Sequence, residues 1–296
     1  MTSQVKADLM LIPIALCWSF SYYLNSVCLR EIGPFALNAL RFIAAFAAAY
    51  AVAGPTLRKV SKRTLLYSVC IGTILSAIYI FATYGVKYTS VSNAGFLCTL
   101  AVVFTPICAF IFKKEIPGKK LVFVVIMCTI SIALLTLNEE LKPALGDVFC
   151  IISAAISAGH LLVTETAVRK DGVDAFHLGV YQLAVVGVLN ALLAVAFETE
   201  YFPRTTAGWV SLIILAAFCT GFTLIALVII QKYTTATHVG VILTLEPVFA
   251  GFVAYYFAGE ILLPRAYAGA VMLIFGILIM EVDIKKLLKI ESEERV

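Results

Sequence analysis

The sequence predicts an all-α integral membrane protein whose ten transmembrane helices form two inverted five-helix repeats. Of its 296 residues, 62% are hydrophobic and 14% are charged, and the mean hydropathy is +1.00, outside the range of ordinary soluble domains. A helix needs about 20 apolar residues to cross a bilayer, and the chain contains ten apolar runs of suitable length. Membrane β-strands are disfavoured because these runs are continuous and do not alternate.

Short polar connections separate the ten predicted helices and leave no room for a soluble domain. The helices cover residues 7–29, 35–53, 64–86, 93–112, 121–137, 146–168, 175–197, 208–230, 237–257 and 265–282. The connection over residues 138–145 divides a first repeat, residues 1–140, from a second repeat, residues 141–296, which ends in a short cytoplasmic tail. The first apolar run lacks a small-residue cleavage site, so we expect it to be retained as a helix.

A weak internal duplication supports the two repeats. Residues 88–116 align with residues 233–261 at an offset of 145, and ten of the 29 aligned positions are identical. These positions include Tyr88/Tyr233, Thr89/Thr234, Gly95/Gly240, Thr99/Thr244 and Glu115/Glu260. A second match, at an offset of 139, pairs Asp8 with Asp147. Because each half has an odd number of helices, the second half crosses the bilayer in the opposite sense, an arrangement typical of transporters.

The distribution of Lys and Arg predicts the orientation. If the N-terminus is cytoplasmic, the loops and tail on that side hold 16 of the 22 Lys and Arg residues, and the other side holds five. The positive-inside rule therefore places both termini in the cytoplasm, in a multi-pass protein of the cell membrane. These basic residues serve as topology anchors, so the net charge of +4 does not indicate binding to nucleic acid.

Motifs of enzymes and cofactor sites are missing from the sequence. There is no Gly-rich phosphate loop and no Gly-x-Ser-x-Gly motif, which argues against an enzyme and against direct use of ATP. The eight cysteines lie in predicted spans without Cys-x-x-Cys spacing, and the three scattered histidines form no metal site. We therefore expect no cofactor and no metal, and transport, if present, should be secondary.

A motif in the ninth span carries a family resemblance. Residues 244–249 read Thr-Leu-Glu-Pro-Val-Phe, with Gly259, Glu260, Gly269 and Gly276 following. Together with the two-repeat layout, this pattern resembles the EamA branch of the drug/metabolite transporter superfamily over essentially the whole chain. Relatives move amino acids, other metabolites or compounds such as choline. The resemblance implies a small-molecule substrate and a cavity between the first, third and fourth helices of one half and their counterparts in the other.

The first repeat departs from the family pattern. Its proline, Pro106, lies one turn later than the proline that usually precedes Val-Phe in the fourth helix. Equal bending of the two halves therefore does not follow from the resemblance.

Glu246 lies near the middle of the ninth span. A charged carboxylate there costs about 2.5 to 3.5 kcal/mol or more unless it faces protein or water. It either pairs with a cationic substrate or exchanges a proton, or it braces the bundle by accepting hydrogen bonds from a neighbouring helix. The adjacent Pro247 removes a backbone donor and collides with the carbonyl of Leu243, so we expect a kink at this carboxylate.

A polar and aromatic face on the first helix is predicted to lie at the depth of Glu246. Trp18, Ser21, Tyr22 and Asn25 share this face, and Tyr79 of the third span lies at a similar depth. Aromatic rings beside a carboxylate suit an organic cation, although ordinary core packing is the alternative. His160 is aligned with Ser21 and is either a lining residue or a hydrogen-bonded core residue. The candidate substrate-binding residues are Trp18, Ser21, Tyr22, Asn25, Tyr79, Thr99, His160, Thr164 and Glu246.

Three other polar features have structural interpretations. Arg41, about two turns inside the second span, is expected to snorkel outward, with pairing to an anionic substrate or an acidic partner as the alternative. Asn93 and His238 are repeat-equivalent and are expected to cap the fourth and ninth helices. Glu115 and Glu260 end those helices and are expected to make end-of-helix contacts or to latch closed states.

These features together predict a secondary active transporter that works by alternating access. The expected gates are the third and fourth helices and their counterparts, flexing at Gly95, Pro106, Gly240, Pro247 and Gly251. A uniporter or exchanger of the same fold, or a membrane sensor that does not transport, are the alternatives. The expected partners are a small-molecule substrate, the lipid bilayer and a coupling proton or cation, and the protein is expected to be a monomer or weak dimer.

Overall fold

A computed structural model describes residues 3–114, 116–136, 144–259 and 264–281. Every regular element in these ranges is helical, in agreement with the predicted all-α class. The α-helices are α1 (Ser3–Cys28), α2 (Pro34–Leu57), α3 (Lys62–Tyr88), α4 (Val91–Cys98), α5 (Ala101–Lys113), α6 (Lys119–Thr136), α7 (Leu145–Val168), α8 (Ala175–Phe197), α9 (Thr206–Ala216), α10 (Thr223–Ile230), α11 (Ala236–Ile242), α12 (Glu246–Val253) and α13 (Pro264–Glu281). Helices dominate because a helix satisfies its own backbone hydrogen bonds where lipid offers none.

Eight segments among the described residues are long and apolar enough to cross a membrane. They are Ala7–Cys28, Pro34–Leu57, Lys62–Tyr88, Val91–Lys113, Leu145–Val168, Ala175–Phe197, Thr206–Ile230 and Ala236–Ala258. Each coincides with one predicted span. The two other predicted spans coincide with α6 and α13, which pack against each other. The count of ten transmembrane helices stays a prediction for this pair.

The main contacts between the halves follow a twofold pattern. α2 packs against α8, and α6 packs against α13. α3 packs on α7 and α8, and its counterpart α9 packs in the same way on α1 and α2. Likewise, α5 packs on α7, and its counterpart α12 packs on α1. Small residues allow close approach: an added Cβ at Gly72 of α3 would lie 2.7 Å from Val185 Cβ.

The equivalent helices α1 and α7 run in opposite directions. At the start of α1, Asp8 accepts a hydrogen bond from Thr234, which lies just before α11. The first amide of α11, that of Ala236, donates to Glu165, which lies in the last turn of α7. α1 therefore begins at the end of the bundle where α7 finishes, which is the relation expected of inverted repeats.

Ser90 and Thr235 cap the fourth and ninth spans. Each side-chain hydroxyl accepts a hydrogen bond from the backbone amide three residues later, that of Asn93 at 3.1 Å and that of His238 at 3.3 Å. The prediction that Asn93 and His238 are the caps was wrong by three residues. A capping side chain must precede the amide it satisfies, and these two residues supply the amides.

Both of these spans break at equivalent positions. The fourth span breaks at Thr99 and Leu100, whose amides bond three residues back, to Phe96 at 3.2 Å and Leu97 at 3.1 Å. In the ninth span a 3₁₀ turn over Leu243–Leu245 separates α11 from α12. Pro247 is in the first turn of α12, directly after that break, whereas Pro106 lies inside the continuous α5. The break in the first repeat therefore does not depend on a proline.

Candidate functional site

A cavity of about 130 Å³ lies at the centre of the bundle, between α1, α3, α4, α7 and the helices from α10 to α12. Eight of the nine candidate substrate residues line it: Trp18, Ser21, Tyr22, Asn25, Tyr79, Thr99, His160 and Glu246. The ninth, Thr164, is fully buried one turn beyond His160 and outside the lining. Gly240, a predicted gating residue, also lines the cavity.

Several polar residues that line the cavity were not predicted from the sequence. Thr83 lies one turn after Tyr79 on α3, and Ser153 and Ser157 precede His160 on α7 at spacings of seven and three residues. Helical periodicity places such residues on one face, so extending the face from each candidate would have found them. The other walls are mainly aliphatic side chains such as those of Leu75, Ile78, Val86, Leu161, Leu224 and Leu227.

Glu246 is held between α1 and α12. It is 6% exposed, and its Oε1 accepts a hydrogen bond of 2.6 Å from the hydroxyl of Tyr22. Its backbone carbonyl accepts a second bond of 2.7 Å from Ser19. Within the described ranges Glu246 forms no salt bridge. No basic side chain among the described residues therefore neutralises a charge on this carboxylate.

Aromatic rings line the cavity around this carboxylate. The indole nitrogen of Trp18 donates to Thr223 at 3.1 Å, which fixes the ring against α10. Tyr79 makes an edge contact with Phe42, with ring centroids 4.7 Å apart. The Ser21 hydroxyl donates back to the Trp18 carbonyl at 2.7 Å, so its proton is committed to its own helix. Rings at fixed positions beside a carboxylate can bind a cationic group.

His160 lines the cavity and has one buried ring nitrogen without a hydrogen-bond partner among the described residues. The residue is 4% exposed and lies next to the side chain of Gln182. In the part of the chain that the structure describes, His160 Nε2 and the Thr164 hydroxyl have no partner within normal hydrogen-bond geometry. His160 is therefore a lining residue with spare hydrogen-bonding capacity.

Arg41 does not snorkel outward, and the prediction that it does was wrong. It is 1% exposed, its Nε donates to the Thr220 hydroxyl at 2.8 Å, and its Nη1 donates to Asn25 Oδ1 at 3.1 Å. The guanidinium carbon lies 5.0 Å from the ring centroid of Tyr79. A π-helical turn over Ala217–Phe222 contains Thr220 and packs on α2. Thr220 comes from the other half of the chain, so the sequence of the second helix alone does not reveal that it bonds to Arg41.

The two ends of the bundle are joined by repeat-equivalent pairs. At the Asp8 end, the Thr234 hydroxyl donates to Asp8 at 3.0 Å. At the Asp147 end, the Thr89 hydroxyl donates to Asp147 at 2.5 Å. Glu115 and Glu260, which were expected to form end contacts, lie outside the described residues.

The Asp8 end carries an additional ionic cluster. The buried carboxylate of Glu165 bonds to Lys113 at 2.8 Å and to Arg169 at 3.2 Å. Arg169 also donates to the carbonyl of Thr234 at 3.0 Å. The cluster therefore ties α5, α7 and the start of the ninth span together.

Comparisons with known proteins agree with this architecture. The EamA-like transporter family matches residues 5–137 and again residues 144–282. An uncharacterized transporter of Archaeoglobus fulgidus is 28% identical, over 95% of this chain and 87% of its own length. A second uncharacterized transporter of that organism is 24% identical, over 86% of this chain and 90% of its own length.

A solved structure, described as "Crystal structure of protein", superposes with a TM-score of 0.78 over 96% of this chain and 99% of that one. At 16% identity this likeness shows the fold alone. The family matches span both repeats and confirm the resemblance seen in the ninth-span motif. The chain is a membrane transporter that belongs to the EamA-like transporter family.

Proposed function

We propose that this chain is a secondary active transporter that moves a small metabolite through the central cavity by alternating access. The observation that carries the proposal is Glu246, a carboxylate inside the bundle with a tyrosine donor and no salt bridge among the described residues. A buried carboxylate is costly unless its charge is balanced. A proton or a cationic substrate arriving through the cavity supplies that balance.

The broken spans support a gating role for the fourth and ninth helices. The breaks lie at the cavity, since Thr99 and Glu246 both line it. A break removes regular helical hydrogen bonds and lets the two segments of a span tilt separately. Gly95 packs closely on α12, where an added Cβ would lie 2.8 Å from Ala250 Cβ. Gly240, Pro247 and Gly251 lie on either side of the ninth-span break, and Pro106, at the position equivalent to Gly251, follows the break in its own span.

The orientation belongs to this proposal. With both termini in the cytoplasm of a cell-membrane protein, the Asp8 end faces the cytoplasm and the Asp147 end faces outward. The cavity then opens to one end at a time, as the Thr–Asp pair at that end separates and the pair at the other end forms. One chain contains both repeats, so a monomer suffices.

Reconstitution of the purified full chain tests the proposal. Labelled amino acids and quaternary amines would be supplied to proteoliposomes with and without an imposed pH gradient. We expect at least one compound to move, and its flux to respond to the gradient in the wild type but not in Glu246→Gln, which keeps the shape and removes the charge. Tyr22→Phe, which keeps the carboxylate, should retain part of the response.

Asp171→Asn is the matched control, because Asp171 is an exposed loop carboxylate distant from the cavity lining. Its flux should equal that of the wild type. Undiminished gradient-driven flux in Glu246→Gln would refute direct coupling through this carboxylate. A compound that binds without ever moving would identify a sensor instead.

A further inference from the structure

The cation of Arg41 is buried beside the cavity, and no acidic side chain among the described residues compensates its charge. Within the described ranges it forms no salt bridge, and its Nη2 has no hydrogen-bond partner. Its two hydrogen bonds go to neutral oxygens, those of Thr220 and Asn25. Burying a charged group without an opposite charge is costly. An anionic group brought into the neighbouring cavity would offset that cost.

Asn25 connects this cation to the cavity. Arg can only donate hydrogen bonds, so the Asn25 side chain must present its carbonyl oxygen to Arg41 and keep its NH₂ group for other partners. Asn25 lines the cavity, as does Tyr79, whose ring the guanidinium contacts at 5.0 Å. The cavity wall therefore offers an oriented amide donor with a positive charge directly behind it. That combination binds a carboxylate better than a neutral group.

The opposite charge, Glu246 of α12, lines the same cavity and is bonded to Tyr22 of α1. Tyr22, which holds the Glu246 carboxylate, is three residues before Asn25. Positions three residues apart lie on one face of a helix, so both side chains point toward the cavity that they line. One cavity is therefore lined by a negative group, Glu246, and by the Asn25 amide with the Arg41 cation bonded to it, so a small molecule carrying both charges can meet both groups.

We propose that Asn25 and Arg41 form an anion subsite, and that the substrate is a small zwitterion whose cationic group faces Glu246 and whose carboxylate faces Asn25. This inference rests on the proposed transport function and names the substrate class of the same cavity. Asn25 contacts the carboxylate. Arg41 is a positioning residue that orients Asn25 and supplies a positive electrostatic potential behind the Asn25 amide.

Three ligands with one apolar skeleton test the subsite: leucine, isoamylamine, which lacks the carboxylate, and 4-methylpentanoate, which lacks the amine. Their dissociation constants would be measured on the purified full chain by calorimetry. We expect leucine to bind at least about tenfold more tightly than isoamylamine, the difference that one charge-assisted hydrogen bond produces. The carboxylic acid should also bind more weakly than leucine.

Asn25→Asp is the informative variant. It places a carboxylate against Arg41, which satisfies the buried cation and removes the amide donor, so the protein should stay folded and its melting temperature should not fall. Leucine should then bind no better than isoamylamine, while isoamylamine binding is retained. Arg41→Gln should abolish the same preference. Thr220→Val is the control, since it removes an Arg41 contact outside the cavity lining and should leave the preference intact.

Equal binding of leucine and isoamylamine to the wild type would overturn the inference. A preference for leucine that survives in Asn25→Asp would overturn it too, as would the absence of binding by all three ligands. The proposed transport function is judged separately by flux and its response to Glu246→Gln. A protein that transports an amine with Glu246-dependent coupling but ignores the carboxylate would refute the subsite alone.

Discussion

The two ends of the bundle are closed by the same pair of residues in different surroundings. Thr89 bonds to Asp147 at one end, and Thr234 bonds to Asp8 at the other. At the Asp8 end, Glu165 adds ion pairs to Lys113 and Arg169. The repeat-equivalent position of Glu165 is Ser26, whose hydroxyl bonds only back to Tyr23 of its own helix among the contacts described.

This difference shows what duplication preserves and what it leaves free. A shared ancestor explains a common Thr–Asp pair at both ends. Different surroundings then let the two ends separate with different free energies, which a transporter needs if one resting orientation is to be favoured. The Asp8 end, with its buried carboxylate and two basic partners, should be the more firmly closed.

The largest expected effect comes from Glu165→Gln, which removes the ionic cluster of the Asp8 end. The free energy of unfolding should fall by about 1 to 3 kcal/mol. The lower part of that range is favoured because Lys113 and Arg169 are 25% and 48% exposed and can turn toward solvent. Thermal unfolding of the purified protein measures the change. Ser26→Ala, at the equivalent position, should change stability by less than about 0.5 kcal/mol, and an equal loss in both variants would contradict the comparison.

Thr89→Val and Thr234→Val remove the paired hydroxyls one end at a time. Each loses a hydrogen bond worth about 0.5 to 1.5 kcal/mol, but the ion pairs should still hold the Asp8 end in Thr234→Val. Cys98, which lines the cavity, reports opening through its rate of modification by a small polar thiol reagent, read by mass spectrometry. Thr89→Val should accelerate this rate about fivefold. Equal or greater acceleration in Thr234→Val would show that the ion pairs do not strengthen the Asp8 end.

Acid should loosen the Asp147 end through Glu31, which lies in the connection between α1 and α2. Hydrogen bonds from Thr205 and from the amide of Arg204 lower the pKa of Glu31. The unfolded chain therefore binds the proton more readily, so this stabilisation is present at neutral pH and is lost as the pH falls below about 5. The melting temperature of Glu31→Gln should depend less on pH between about 3.5 and 6 than that of the wild type. Parallel pH profiles would exclude this contribution.

The smallest expected effect concerns the ends of the two broken spans. Lys114 (φ 57°) and Gly259 (φ 70°) are repeat-equivalent and both adopt left-handed backbone. Only glycine does so without strain. Lys114→Gly should therefore stabilise the protein by about 0.5 to 1 kcal/mol and Gly259→Ala should destabilise it by a similar amount. Thermal unfolding would detect both changes in stability. Shifts of the same sign in the two variants would show that Lys114 and Gly259 do not share this backbone conformation.

Much of the site could be predicted from helical spacing. Trp18, Tyr22 and Asn25 share one face of α1 and line the cavity together with Glu246, as the sequence indicated. The same logic failed for Arg41, because snorkelling considers only one helix and the lipid, whereas Thr220 approaches from a π-helical turn of the other half. The matching breaks were also not predicted, because the break at Thr99 and Leu100 contains no proline and Pro106 lies inside the continuous α5.

Hydropathy and the internal duplication by themselves determined that this protein is an all-helical membrane protein of two repeats, because apolar length and repeated residues are local properties of a chain. The tertiary structure decided where the spans break, which residues hold Arg41, and why the two ends differ. Those outcomes depend on contacts such as Lys113 with Glu165 and Arg41 with Thr220. The partners come from opposite halves of the sequence, so their meeting depends on how the helices pack and not on the residues adjacent to either one.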